Sequence, residues 1–256
     1  MGIVNRMLQK MRKGETILGL GVCYPAPGII ESMCRGWDFV WADAQHGQFT
    51  YDMLHYECQA AMVVGADMMI RCPGIEESLL SLYADLAPEA IMIPMVNNKG
   101  DAERIVKALR FPPIGNRSFS GRRLVDLYGR QYYKDFELCI VAQIENPEAV
   151  NNAYEIAGIE GVDLLFFGPD DFKISLGIPI DSTWRDNKDL ESGYIKTSEA
   201  ARKANKFCGT VAGSISDLET IIKWGYQLIV YGSDVAFLRS GSAKRLEEIQ
   251  KMKRNM

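Results

Sequence analysis

Eight short apolar runs, each followed by a segment with helical periodicity, limit what this chain can fold into more than any other feature. The clearest run is Leu138-Cys139-Ile140-Val141-Ala142-Gln143-Ile144-Glu145. Unbroken apolarity over five residues suits a strand covered on both faces, as in a parallel sheet. Gln143 and Glu145 lie two apart at its end and so point to the same side. Pro147 then opens a helical pattern over 148–156. Residues 162–168 repeat the plan, an apolar run followed by Pro169-Asp170-Asp171. The other runs fall at 16–22, 38–42, 67–71, 90–96, 206–212 and 227–232. Pro94 would be awkward inside a ladder, so the fourth strand is expected to end or bulge there.

Strands in regular alternation with helices imply βαβ units and parallel pairing. Eight such units in 256 residues fit a (β/α)8 barrel, with the whole of 1–256 as one domain. The competitor is a doubly wound open sheet. Its nucleotide-binding version is weakened by the lack of G-x-G-x-x-G after the first strand and of G-x-x-x-x-G-K-[ST] anywhere. Helices are expected over 3–13, 28–35, 52–64, 76–86, 99–109, 194–205, 215–224 and 235–252. The least regular stretch is 114–136, with a short helix at 132–136.

A net charge of −4 argues against a nucleic-acid or anionic-membrane partner. No apolar run approaches a membrane span, and the N-terminus lacks a signal-peptide core. The six cysteines are scattered without C-x-x-C spacing, which reads as buried free thiols in a reducing cytoplasm.

In a parallel barrel the active site gathers at the C-terminal strand ends. The chain supplies Asp43 and His46 after the second strand, and Arg71 at the end of the third. Gln143 and Glu145 end the fifth, Asp171 follows the sixth, and Asp234 follows the eighth. Glu145 and Asp171, from adjacent strands, form a candidate hard-cation site; taken singly, each is equally an acid at a helix N-terminus. Arg71 is open between ion-pair partner and functional group. Asp43 and His46 are open between a proton-transfer pair and a local cap. Asp85 reads most simply as a solvated acid, and Met62, Met68, Met69, Met92 and Met95 as core filler. No strand end carries a lysine that could form a Schiff base.

Several motifs recur in a telling order: Asp43-x-x-His46-Gly47, Arg71-x-Pro73, Ile93-Pro94-Met95-Val96, Arg110-Phe-Pro-Pro-x-Gly-x-Arg117, Gln143-Ile-Glu145, Gly168-Pro-x-Asp171 and Gly232-x-Asp234. As an ordered set covering roughly 15–250, they resemble the HpcH/HpaI family of pyruvate-dependent class II aldolases. That family includes 4-hydroxy-2-oxoheptanedioate aldolase and the 2-keto-3-deoxy sugar-acid aldolases. The resemblance implies a modified TIM barrel, often with its eighth helix exchanged between subunits, in a trimer or hexamer. It implies a divalent cation (Mg, Mn or Co) on Glu145 and Asp171, chelated by a 2-keto acid. Gln143, Gly168, Pro169 and Asp170 would line the substrate, and Arg71 would stand near the keto oxygen. Asp43 and His46 would move the proton, and Asp85 would serve a neighbouring subunit's site. The implied reaction is cleavage of a 2-keto-4-hydroxy acid to pyruvate and an aldehyde. Oxaloacetate decarboxylation and non-catalytic 2-keto-acid binding are the alternatives. Two positions depart from the family pattern: Gln45 replaces the usual Glu, and Asp170 replaces Ala or Ser, adding a charge beside the expected carboxylate site.

Overall fold

The computed structural model describes residues 4–119 and 121–255; Ile3, the expected start of the first helix, and Ser120 lie outside them. The eight strands are β1 (Ile17–Val22), β2 (Phe39–Asp43), β3 (Asp67–Arg71), β4 (Ala90–Ile93), β5 (Cys139–Ile144), β6 (Leu164–Phe167), β7 (Phe207–Ala212) and β8 (Leu228–Ser233). Each pairs in parallel with the next, and β8 returns to β1, closing a (β/α)8 barrel. The expected open-sheet competitor is thereby excluded. β4 stops at Ile93, as Pro94 requires.

The helices are α1 (Arg6–Arg12), α2 (Pro27–Met33), α3 (Tyr51–Val64), α4 (Glu77–Ala84), α5 (Lys99–Leu109), α6 (Arg122–Tyr128), α7 (Pro147–Ala157), α8 (Pro169–Ser175), α9 (Lys188–Lys203), α10 (Ile215–Lys223) and α11 (Asp234–Arg254). Two were not legible in advance. α6 lies in the stretch expected to be irregular, and the helix expected at 132–136 is only a 3₁₀ turn over Tyr132–Lys134. α8 begins directly at Pro169, so Asp170 and Asp171 sit in its first turn.

Strand alternation sorts the apolar residues into two cores. Leu20, Val40, Ile70, Ile91, Ile140, Ala142, Leu165 and Ile229 face outward against the helices. Ile17, Phe39, Met69, Met92, Cys139, Val141, Leu164, Phe166, Leu228 and Val230 fill the barrel interior. The interior is too narrow for large side chains at every position. A Cβ on Gly19 would lie 2.2 Å from the Phe39 ring, and one on Gly209 2.9 Å from that of Phe166. Glycine on one strand therefore makes room for an aromatic on its register partner, Gly19 for Phe39 and Gly209 for Phe166.

α1 closes the N-terminal end of the barrel. Its Met7, Leu8 and Met11 join the interior core. Asn5 caps α1 and donates to the carbonyls of Glu89 (2.7 Å) and Glu137 (2.8 Å). With one end plugged, only the C-terminal mouth is left for chemistry. In α11 the only buried residue is Asp234, while Leu238, Leu246, Ile249 and Met252 are exposed. Among the described residues, no helix is long and apolar enough to cross a membrane.

Candidate active site

The interior face of each strand, continued by one more step of two residues, delivers the site. On β2, Phe39 and Trp41 point inward, and Asp43 follows. On β3, Met69 is followed by Arg71, and on β5, Val141 is followed by Gln143 and then Glu145. On β6, Phe166 is followed by Gly168. The expected convergence on one rim is therefore a consequence of strand parity and parallel register.

Asp43 and Arg71 are register partners across β2 and β3. Arg71 Nε and Nη2 donate to Asp43 Oδ1 (2.8 Å) and Oδ2 (2.6 Å). Asp43 Oδ1 also accepts the backbone N–H groups of Gln45 (3.1 Å) and His46 (3.2 Å). Burial alone would push Asp43 up, but Arg71 and the two N–H donors hold its carboxyl below the usual value. Of the two readings open for Asp43 and His46, the local cap is what the backbone bonds show, while the exposed His46 ring has no hydrogen-bond partner among the described residues. Asp43 grips His46 by its main chain and fixes where the residue starts, leaving the ring to turn.

Glu145 is only 1% exposed. Its Oε1 accepts the Met95 N–H (2.7 Å), while its Oε2 is buried with no partner among the described residues. Met95 takes a left-handed backbone (φ 54°) directly after Pro94, which turns its N–H onto the carboxylate. Met95 is half exposed, as is Met62, so the core-filler reading holds for Met68, Met69 and Met92 but not for these two. Burial raises Glu145 to about 7; the Met95 N–H opposes this, the neighbouring Asp171 charge adds to it, and Arg71 draws it down. Glu145, Asp171 and Arg71 thus feel one another across the mouth.

Gln143, 2% exposed, has an Oε1 that is likewise buried and unpartnered. Gly168 is what lets these groups approach: a Cβ there would lie 2.9 Å from Gln143 Nε2 and from Glu145 Cβ. Two orphaned acceptor oxygens around a bare backbone, with an exposed carboxylate at Asp171, make an all-oxygen donor set for a hard divalent cation. Among the described residues no cluster of three or more His, Cys, Asp or Glu could hold a metal. A cation here would complete its shell with water and ligand oxygens, as magnesium commonly does.

The remaining expected residues sort differently. Pro169 is buried at the first position of α8, where its lack of an N–H costs nothing. Asp170 turns outward, 71% exposed, and pairs with Lys173 Nζ at 2.8 Å. Its charge is spent in solvent and does not crowd the mouth. Asp234 is buried and structural, accepting N–H bonds from Cys23, Tyr24 and Val235. Asp85 caps the C-terminus of α4 and pairs with Arg117 (2.9 Å). It lies between α4 and β4, beside Tyr51 and His55 in the first turns of α3. Trp41, which the sequence did not single out, places its ring 4.9 Å from the Arg71 guanidinium carbon.

Comparison with known proteins bears on the family and the fold. The family described as HpcH/HpaI aldolase/citrate lyase matches residues 29–240. A hydroxypyruvate/pyruvate aldolase of Delftia acidovorans is 28% identical over 244 residues, covering 92% of this chain and 89% of that one. A 2-keto-3-deoxy-L-rhamnonate aldolase of Escherichia coli is 27% identical over 254 residues, with coverage of 95% and 92%. An HpcH/HpaI aldolase/citrate lyase family protein from Burkholderia cenocepacia superposes with a TM-score of 0.88 at 25% identity, covering 96% of this chain and all of that one. With the match spanning most of its length and the same barrel beneath it, the chain belongs to the HpcH/HpaI aldolase/citrate lyase family.

Proposed function

We infer that this chain is a carbon–carbon lyase that cleaves a 2-keto-4-hydroxy acid to pyruvate and an aldehyde, using a divalent cation held by Glu145 and Asp171. The observation that carries this reading is the pair of buried, unpartnered oxygens, Glu145 Oε2 and Gln143 Oε1, around Gly168 and beside Arg71. Cleavage needs a sink for the electrons left on the keto-acid fragment and a base for the C4 hydroxyl proton. Magnesium, manganese or cobalt at the two carboxylates would supply Lewis acidity to the 2-keto oxygen. Asp43 locks Arg71 by two donors, and the remaining guanidinium N–H groups are free to stabilise charge developing on the enolate oxygen. Gln143 and the bare backbone at Gly168 and Pro169 receive the keto acid. Asp170 stands outside it, held by Lys173. His46, with a free ring beside the mouth, takes the C4 hydroxyl proton.

Asp85 and α11 bear on assembly. Asp85 lines a surface pocket with Tyr51, His55 and Arg122, and α11 leaves its apolar side chains exposed. We therefore read the protein as a homo-oligomer, a trimer or hexamer, in which α11 is exchanged and Asp85 faces a neighbour's site. The six cysteines are all free, which suits a cytoplasmic location.

A coupled assay for pyruvate release over a panel of 2-keto-4-hydroxy acids, with oxaloacetate included, tests the activity. Metal-dependent release from at least one hydroxy acid is expected. Release from oxaloacetate alone would instead favour decarboxylation, the second reading. One observation speaks for it: the His46 ring has no partner among the described residues, and decarboxylation needs no C4 base.

A further inference from the structure

Arg71 is gripped at one edge by Asp43, but a two-point ion pair leaves the guanidinium plane free to rock about that edge. Arg71 Cζ lies over the Trp41 ring, 4.9 Å from the indole centroid. Trp41 lies on β2 two residues before Asp43, on the same interior face, and its register partner on β3 is Met69, two before Arg71. The indole is a shelf one layer below the ion pair.

The shelf is itself supported. Across the barrel the Phe166 ring packs against it, 6.0 Å between centroids and tilted by 41°. Phe166 is the register partner of Gln143 on one side and of Gly209 on the other. On β1, Trp41 is paired with Gly21, where an added Cβ would come 3.6 Å from the indole. Gly209 on β7 gives the Phe166 ring its place, where an added Cβ would lie 2.9 Å from it, and the two rings join the Arg71 side of the mouth to the Gln143 side.

The indole N–H is not what holds the residue within the protein. Trp41 Nε1 is buried and has no hydrogen-bond partner among the described residues, a condition that normally costs stability. A phenyl ring would fill the layer without that cost. What tryptophan adds is the ring with the strongest attraction for a cation on its face.

We propose that Trp41 is a positioning residue that holds the Arg71 guanidinium flat, so that its free N–H donors point at the keto acid. The proposal rests on the reading of Arg71 given above and adds a residue to it. Asp43 sets the in-plane position of the guanidinium and Trp41 sets its tilt. Neither alone defines where the donors point.

The test compares Trp41→Phe, which keeps an aromatic face, with Trp41→Met, which fills similar space without one; Arg71→Ala serves as reference. Oxalate, a planar mimic of the pyruvate enolate, is titrated calorimetrically into each protein with Mg²⁺ present. Steady-state pyruvate release is measured alongside. Cation–π attraction of the usual size predicts an oxalate Kd raised about 3- to 30-fold in Trp41→Met, with Trp41→Phe in between. Pyruvate release should fall in kcat in the same order. Thermal melts of the two Trp41 variants control for packing. Equal Kd values in the Phe and Met variants, or wild-type values in both, would overturn the proposal for Trp41 even if Arg71→Ala weakens oxalate. An oxalate Kd untouched by Arg71→Ala would instead remove Arg71 from the site, a separate failure.

Discussion

Arg71 and Asp43 stand opposite each other in register on β3 and β2 and meet at two points, 2.8 and 2.6 Å, with both side chains 8% exposed. That pair decides more about the mouth than any single acid does. It engages the carboxylate that stands three residues before His46 and holds one edge of the Arg71 guanidinium in place.

Asp43→Asn should therefore act through Arg71. An amide keeps one acceptor but cancels the charge, leaving a nearly buried guanidinium uncompensated. Losing one partner of a buried pair costs about 3 kcal/mol. We expect a lower melting temperature together with a loss of pyruvate release greater than about 100-fold. A variant with unchanged stability would mean that solvent already screens the pair.

At the metal site, Glu145→Gln should abolish Mn²⁺ or Mg²⁺ binding by calorimetry while leaving the melting temperature unchanged or higher. The reason is that burial already strains the carboxylate, whose Oε2 has no partner among the described residues. Gly168→Ala should weaken the same binding from the opposite side, because its Cβ would press on Gln143 and Glu145 at 2.9 Å. Metal content that survives both changes would place the site elsewhere.

The base and the electron sink are separable. Losing a general base typically costs ~100- to 10,000-fold in rate. His46→Ala should cost that much in aldol cleavage and far less in oxaloacetate decarboxylation. Equal losses in the two reactions would assign His46 to binding rather than proton transfer.

Asp170 offers a negative control. Its carboxylate is 71% exposed, while Lys173 is nearly buried and its Nζ also donates to the Ile180 carbonyl. Asp170→Ala should leave kcat/KM within about twofold, at a stability cost of about 1 kcal/mol for the half-paired ammonium. A gain in affinity for the keto acid well beyond that would show that its charge reaches the mouth after all.

Glu57 on α3 sets a pH signature unrelated to catalysis. Both its oxygens are buried without partners among the described residues, and burial, with a smaller contribution from the Asp234 charge, raises it to about 7. An acid raised on folding binds more protons in the native state. Stability is therefore fully present below the ordinary glutamate value and is lost as pH rises to about 7. Glu57→Gln should gain on the native protein between pH 5 and 8, by on the order of 3 kcal/mol at most. Glu89 and Glu145 are raised as well but are common to both proteins, so they cancel in the difference. A difference that does not change with pH would mean that Glu57 is hydrated.

Eight alternating strands and helices, and most of the rim, were legible in the residues alone, but closure was not. Continuous apolar runs such as 139–142 suit strands covered on both faces, and the pairing of β8 with β1 is what excludes an open sheet. Strand parity then puts Asp43, Arg71, Gln143 and Glu145 on one mouth, since residues two apart share a face whatever surrounds them. Partner choice was decided only by the tertiary structure. Asp43 is three residues from His46 and 28 from Arg71, yet the side-chain bond goes to Arg71 because parallel register sets β3 beside β2. Spacing along the chain could not show that Asp170 turns to Lys173, that Asp234 is consumed by the loop after β1, or that Met95 lends its N–H to Glu145. Nor could it show Trp41 beneath Arg71, because a tryptophan inside an apolar strand looks like core until the strand beside it brings a guanidinium to its face.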